Sequence, residues 1–289
     1  MVFLAGCSYG MVAPISKLAY GTGFTVQEVV GSQNYFGLAM LAIINLLFFR
    51  YKVGLKVALS LMGIGITNAL TSVFYSQTVH ALPAAIAIVF LFQFTWVGIV
   101  IEAIALKERP SKGKLLSIPL LLAGTAIAGG IFELGEVNIT FWGAFFGFLS
   151  AITFSLFIFF SGRVATDVPA INRSLFIILG SAITVSLIFP PRFLVNGAIS
   201  DGLMLYAIPI ALFGIVIAPL FFAKGTPHTG SGLASILGSS ELPMAVLMAA
   251  IILGEQVSPL RWFGIAVTLL GISLPYLLSY RNRKLQTVQ

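Results

Sequence analysis

The chain has 289 residues, 58% of them hydrophobic and only 9% charged, with a mean hydropathy of +1.04. Soluble chains carry about a quarter charged residues, so a soluble fold is excluded and an integral membrane protein expected. The net charge of +7 is spread over basic residues standing singly between apolar runs, which excludes the clustered, aromatic-interleaved patch of a nucleic-acid binder.

About 20 residues cross the hydrocarbon core as a helix, and the apolar runs divide into ten such spans. They cover roughly 2–20, 28–49, 56–78, 82–105, 114–132, 140–161, 174–190, 203–223, 231–254 and 260–280. The runs are too long for barrel strands, so the fold class is all-α. The first span has no basic lead and carries Lys17 near its far end, which makes it a helix rather than a signal peptide. Cys7 is the single cysteine, leaving no disulfide framework and no cysteine-based metal cluster. With both termini cytoplasmic, 13 of the 16 basic residues, Arg50 and Arg173 among them, fall inside. Arg192 and Arg261 fall outside and Lys17 at the outer end of the first helix, as the positive-inside rule requires. Asn138-Ile-Thr140 has the form of a glycosylation sequon on an outer loop but abuts a helix, so it reads as a chance match.

An internal repeat follows from Leu106-Lys-Glu108-Arg-Pro-Ser111 and Leu120-Leu-Leu-Ala-Gly124. These reappear as Leu253-Gly-Glu255-Gln-Val-Ser258 and Val267-Thr-Leu-Leu-Gly271, at a constant offset of 147 residues. Five spans per half is an odd number, so the second half enters the membrane from the opposite side. The expected architecture is ten transmembrane helices in two inverted five-helix repeats, residues 1–136 and 137–289. In such inverted repeats the substrate site lies near the bilayer midplane, between the halves.

Ten spans in two halves, each with the Glu step, a Ser three residues on and a helix closing on Leu-Leu-x-Gly, resemble the EamA branch of the drug/metabolite transporter superfamily. The resemblance covers essentially the whole chain. It implies an exporter or exchanger of small metabolites, amino acids or drugs, with a central cavity lined by the first, third, fourth, sixth, eighth and ninth helices. It implies that Leu253-Gly254-Glu255 fixes a helix junction. The family's Trp-Gly ahead of a Lys corresponds here to Tyr9-Gly10 with Lys17. Relatives place a Glu one residue before a Pro in the ninth helix, whereas this chain reads Glu241-Leu-Pro243.

Glu241 interrupts the apolar run 231–254 near mid-depth, where a carboxylate is costly and faces a bundle interior or a wet cavity. It can exchange a proton, pair with an amine substrate, or tie its helix to a neighbour; Ser240 beside it belongs to the same small, polar face. The repeat sets Phe94 opposite Glu241, so the two-fold is broken there. Gln93 needs a partner in hydrocarbon and is placed in the cavity. Trp96 can stack on a substrate or cover a cation, or simply pack. Asn68, Ser72 and Tyr75 share one inward face of the third helix, to line the cavity or to bond neighbouring helices. Lys17, with Tyr9 and Ser16 near it, either snorkels to the interface or opposes a substrate carboxylate.

Gly6 to Gly10 and Gly143 to Gly147 are Gly-x-x-x-Gly pairs, the pattern of close helix packing. Pro209 and Pro219 can kink the eighth helix. His80 and His228 fall at opposite faces and cannot share a metal; no metal and no cofactor is expected. A Walker A pattern is absent, so energy would come from protons or a counter-substrate. The expected function is a secondary carrier, an efflux or exchange transporter of the cell (inner) membrane. A lipid or lipid-linked sugar flippase on the same scaffold is the alternative, and an intramembrane enzyme, lacking paired catalytic groups at depth, ranks below it.

Overall fold

The computed structural model describes residues 1–48, 51–134 and 139–286; Arg50 and the Asn138 sequon lie outside them. Ten helices among the described residues are long and apolar enough to cross a membrane. They are α1 (Val2–Gly21), α2 (Val26–Phe48), α3 (Leu55–Ala81), α4 (Ile86–Leu106), α5 (Lys112–Glu133), α6 (Phe141–Ser161), α7 (Ala170–Ile188), α8 (Ile199–Thr229), α9 (Ser231–Leu253) and α10 (Pro259–Leu278). The expected all-α architecture of ten spans is therefore the observed one.

Local sequence sets the helix ends. Thr25 and Glu28 form a capping box at the start of α2, the Glu28 amide bonding the Thr25 hydroxyl at 3.3 Å and the Thr25 amide the Glu28 carboxylate at 2.8 Å. Ser111 and Ser258, equivalent under the 147-residue offset, cap α5 and α10 by accepting from the amides of Lys114 and Arg261 at 3.4 and 3.2 Å. The preceding helices, α4 and α9, end on the equivalent residues Lys107 and Gly254, both left-handed with φ of 54° and 67°. Lysine thus adopts a conformation that glycine takes without steric cost, and the repeat survives the substitution in its backbone.

Helix packing rests on glycine. Lipid supplies no hydrophobic force between helices, so close backbone approach has to supply dispersion instead. On α3, Gly65 lies against the backbone of α7, where an added Cβ would meet the Ser181 amide nitrogen at 2.6 Å and the Gly180 carbonyl carbon at 2.9 Å; Gly180 in turn faces Met62. Helices α5 and α10 meet through Gly124 against Thr268, Gly264 against Ala128 and Gly113 against Pro275. Gly143 and Gly147 of α6 receive Leu82 and Phe90, the close packing expected of that pair.

A prediction separates packed from unpacked glycines. Gly65→Val forces atoms into the α7 backbone and should destabilise by about 1–3 kcal/mol or more. Gly63→Ala, two residues away and facing open space, should leave stability unchanged within about 1 kcal/mol. Thermal unfolding in detergent, read by circular dichroism, compares the two.

Candidate functional site

Helices α4 and α9 are both interrupted after a first segment of 8 residues and before a second of 13, at equivalent positions. In α4 the segments Ala84–Leu91 and Phe94–Leu106 meet at Phe92-Gln93; in α9 Ser231–Gly238 and Glu241–Leu253 meet at Ser239-Ser240. Both tighten to i→i−3 bonds at matching residues. The Gln93 and Thr95 amides bond the Phe90 and Phe92 carbonyls at 3.2 and 3.1 Å, and the Ser240 and Leu242 amides bond those of Leu237 and Ser239 at 3.2 and 3.3 Å. Such a tight turn inside a longer helix marks strain or a hinge.

The two interruptions have different causes. Pro243 has no amide proton for the Ser239 carbonyl and cannot continue a regular helix across this point. Its counterpart in α4 is Trp96, which has no such effect. There the Gln93 side chain does the work: its amide donates to the Val89 carbonyl at 2.9 Å, and its oxygen accepts from the Trp96 indole at 2.8 Å. The structure thus places Gln93 and Trp96 as a pair that bonds within α4 and shapes the interruption.

Around the crossing, six helices contribute side chains. Tyr9 of α1 packs its ring on Phe154 of α6 and Phe222 of α8 at centroid distances of 5.8 and 6.0 Å; Phe94 of α4 meets Phe154 edge-on at 4.8 Å. The Gly238 backbone of α9 lies against the Phe222 and Phe94 rings. Glu241 begins the second half of α9 and is half-buried; Tyr9 of α1 and Tyr75 of α3 are partly buried against the hydrophobic core beside it. Helices α1, α3, α4, α6, α8 and α9 are the set that the family resemblance implied. The Glu241 carboxylate has no hydrogen-bond or ion-pair partner among the described residues, and the buried Tyr9 hydroxyl also has none.

Gly6 and Gly10 bring α1 onto this point. A Cβ on Gly6 would meet the Gly238 carbonyl, and one on Gly10 would meet Met244 at 2.8 Å and collide with the Glu241 carbonyl. Ser240 donates to the Phe3 carbonyl at 2.6 Å, tying the α9 interruption to α1. Across the pseudo-two-fold, the Phe94 carbonyl accepts from Ser155 at 3.1 Å. Of the α3 face, Asn68 donates to Ser181 at 3.3 Å, which donates to Asn34 at 3.0 Å, so Asn68 joins α3, α7 and α2. Ser72 bonds back to the Asn68 carbonyl at 3.4 Å. Tyr75 of that face packs against the same hydrophobic core as Tyr9, Phe94, Phe154 and Phe222.

Charges collect at the two ends. Lys17, 66% exposed, pairs with Glu255, linking the C-terminal ends of α1 and α9. At the other end Glu102, a residue with no motif to mark it in the sequence, is buried and pairs with Lys114. Ser231 donates to the same carboxylate at 3.4 Å and accepts from Arg163 at 3.2 Å. Gly230 and Gly232 leave room for this carboxylate at the start of α9, where a helix N-terminus favours negative charge. Arg173, fully buried, donates to the carbonyls of Ser161 and, at 2.9 Å, Ala223. Each of these contacts joins residues that the charge rule assigns to one membrane face. Two clefts of about 310 Å³ lie at the ends, one along Phe24, Glu28, Asn196 and Tyr206, the other along Val2, His228, Leu237 and Tyr276; Glu241 lines neither.

Ten spans in two inverted halves, with an equivalent helix of each half interrupted, define a multi-pass membrane protein built on inverted repeats. The chain belongs to the EamA-like transporter family, whose model matches residues 1–130 and 141–277. A solved crystal structure of a protein superposes over 97% of this chain and 98% of its own with a TM-score of 0.76, at 18% identity, a likeness of fold. Among curated proteins, cruxrhodopsin-3 of Haloarcula vallismortis is 31% identical over 125 residues, 41% of this chain and 48% of that protein. Bacteriorhodopsin of Halobacterium halobium (strain shark) is 32% identical over 120 residues, 39% and 56% of the two chains. The chain spans about half the length of these curated relatives, a likeness confined to part of each chain.

The end contacts should differ in strength. A double-mutant cycle with Glu102→Gln and Lys114→Met, scored by unfolding in detergent, should give a coupling of about 1–3 kcal/mol, as expected of contacting buried groups. The same cycle on Lys17→Met and Glu255→Gln should give less than about 1 kcal/mol, the range of exposed pairs. Equal couplings would contradict the burial difference.

Proposed function

We propose that the chain is a secondary carrier, an exporter or exchanger of small metabolites, amino acids or amine-like compounds, working by alternating access in the cell (inner) membrane with both termini cytoplasmic. The observation that carries this reading is the convergence of six helices on a half-buried, unpartnered carboxylate where two interrupted helices cross. Regular helices satisfy their own backbone and pack stably; interrupting two at mid-depth costs hydrogen bonds and is tolerated where protein lines a cavity. Membership in a transporter family and the inverted repeat support the same reading.

In this mechanism the units 1–136 and 137–289 rock about the crossing of α4 and α9. The substrate meets Glu241, with Tyr9 and Tyr75 beside it, from one face at a time. On the outer side the carrier closes through Lys17 and Glu255. On the inner side it closes through Glu102, Lys114, Ser231 and Arg163. The interruptions let the two segments of each helix tilt separately, so one end can part while the other stays packed. Protons or a counter-substrate drive the cycle. The flippase alternative wants free cations for a phosphate, and Lys17, one of its two supports, is engaged by Glu255.

Proteoliposomes preloaded with a mixture of unlabelled amino acids, amines and nucleobases should accumulate an external labelled member of that mixture by counterflow, saturably. Flux that rises linearly with concentration and shows no counterflow would argue for a channel. Scrambling of fluorescent phospholipid by the same vesicles would argue for the flippase.

A further inference from the structure

We propose that the central site selects organic monocations, amines with an aromatic or alkyl body, and rejects anions and zwitterionic amino acids. The inference rests on the carrier reading and narrows its cargo. Two unsatisfied polar groups and the walls around them carry it. The Glu241 carboxylate is without a partner and accepts hydrogen bonds. The Tyr9 hydroxyl is buried without a partner, and its oxygen can accept a second N–H. An ammonium group, which donates and never accepts, offers an N–H to either oxygen.

The walls suit the same ligand. Tyr9, Phe94, Phe154 and Phe222 stand in mutual contact at centroid distances of 4.8 to 6.2 Å. Aromatic faces attract a cation electrostatically and pack against its apolar body. They repel an anion for the same reason.

The distribution of cations completes the selection. Lys17 lies eight residues along α1 from Tyr9, roughly 12 Å at the helical rise, and is held by Glu255. On α4, Glu102 lies eight residues from Phe94, an equal distance, and holds Lys114, while Arg163 is engaged by Ser231. Arg173 is committed to the Ser161 and Ala223 carbonyls. Lys224, two residues from Phe222 on α8, is exposed on the other side of that helix, so a substrate carboxylate at the crossing meets one acid and none of these cations. The ammonium of an amino acid would find Glu241, but its carboxylate would stay unpaired in a low-dielectric site.

Counterflow into proteoliposomes with three probes of one shape tests this: labelled phenethylamine, phenylalanine and 3-phenylpropionate. Phenethylamine should be carried, with the other two at least about tenfold slower. Glu241→Gln should reduce phenethylamine counterflow about 10- to 100-fold, the loss of a charge-assisted bond, and Tyr9→Phe about 2- to 10-fold. Glu241→Asp keeps the charge and should restore part of the flux. Size-exclusion profile and circular dichroism of each variant confirm that it folds. Phenylalanine or 3-phenylpropionate carried as well as phenethylamine, or phenethylamine flux unchanged in Glu241→Gln, overturns the cation inference and leaves the carrier reading standing. Absence of counterflow for these probes and for the preloaded mixture overturns both.

Discussion

Inside hydrocarbon every backbone amide and carbonyl must be paired by protein, because no water reaches it. That constraint makes the paired interruptions in α4 and α9 the centre of the structure. At Phe92-Gln93 and Ser239-Ser240 the helical ladder is broken, and neighbours must cover what it exposes. Gln93 bonds the Val89 carbonyl and Ser155 the Phe94 carbonyl. Ser240 reaches α1 through Phe3. The crossing is therefore stable only with α1 and α6 pressed against it, which is why Gly6 and Gly10 have no room for a side chain.

The same economy governs charge. An ion deep in the bilayer is costly, and the engaged cations Lys17, Lys114, Arg163 and Arg173 lie toward helix ends. Arg173 is buried, yet it sits where α6 and the eighth helix offer main-chain carbonyls, and it bonds two of them. Glu102 uses the opposite pole, the start of α9, with Lys114 as counter-ion. Against that background Glu241 is the exception. It has neither a counter-ion nor a donor among the described residues, although serines surround the interruption beside it.

Much of the fold was legible because bilayer thickness and backbone satisfaction leave few choices. The ten spans follow from run length, and the repeat from the Glu, Ser and Gly positions shared by 106–124 and 253–271. Span ends shifted where polar residues continue a helix past the apolar core; α8 reaches Thr229 because Lys224 and His228 remain helical. The site was legible in one residue and blurred around it. Glu241 announces itself as an acid in an apolar run. Gln93 and Trp96 are ambiguous in sequence, since only the geometry reveals that each is the other's partner. Asn68 reads as a cavity face by periodicity, but its partner Ser181 lies 113 residues away and Ser181's own acceptor is Asn34, which leaves no local trace. Glu102 was missed because nothing near it in sequence announces Lys114, a turn into the next helix, or the glycines 130 residues further on that accommodate it.

Residues 94 and 241 hold the deepest asymmetry. Both begin the second segment of an interrupted helix, both follow the same i→i−3 turn, and both carbonyls face the first helix of a half, α6 for Phe94 and α1 for Glu241. One side chain is a fully buried ring and the other a half-buried carboxylate. The interruption thus belongs to the repeat and serves the backbone, achieved once by proline and once by a glutamine and a tryptophan. The carboxylate belongs to one half alone. An inverted pair of identical halves would place two like charges together at the crossing, each raising the cost of the other. With phenylalanine in one half and glutamate in the other, the two halves keep the same backbone turn and the crossing holds a single carboxylate.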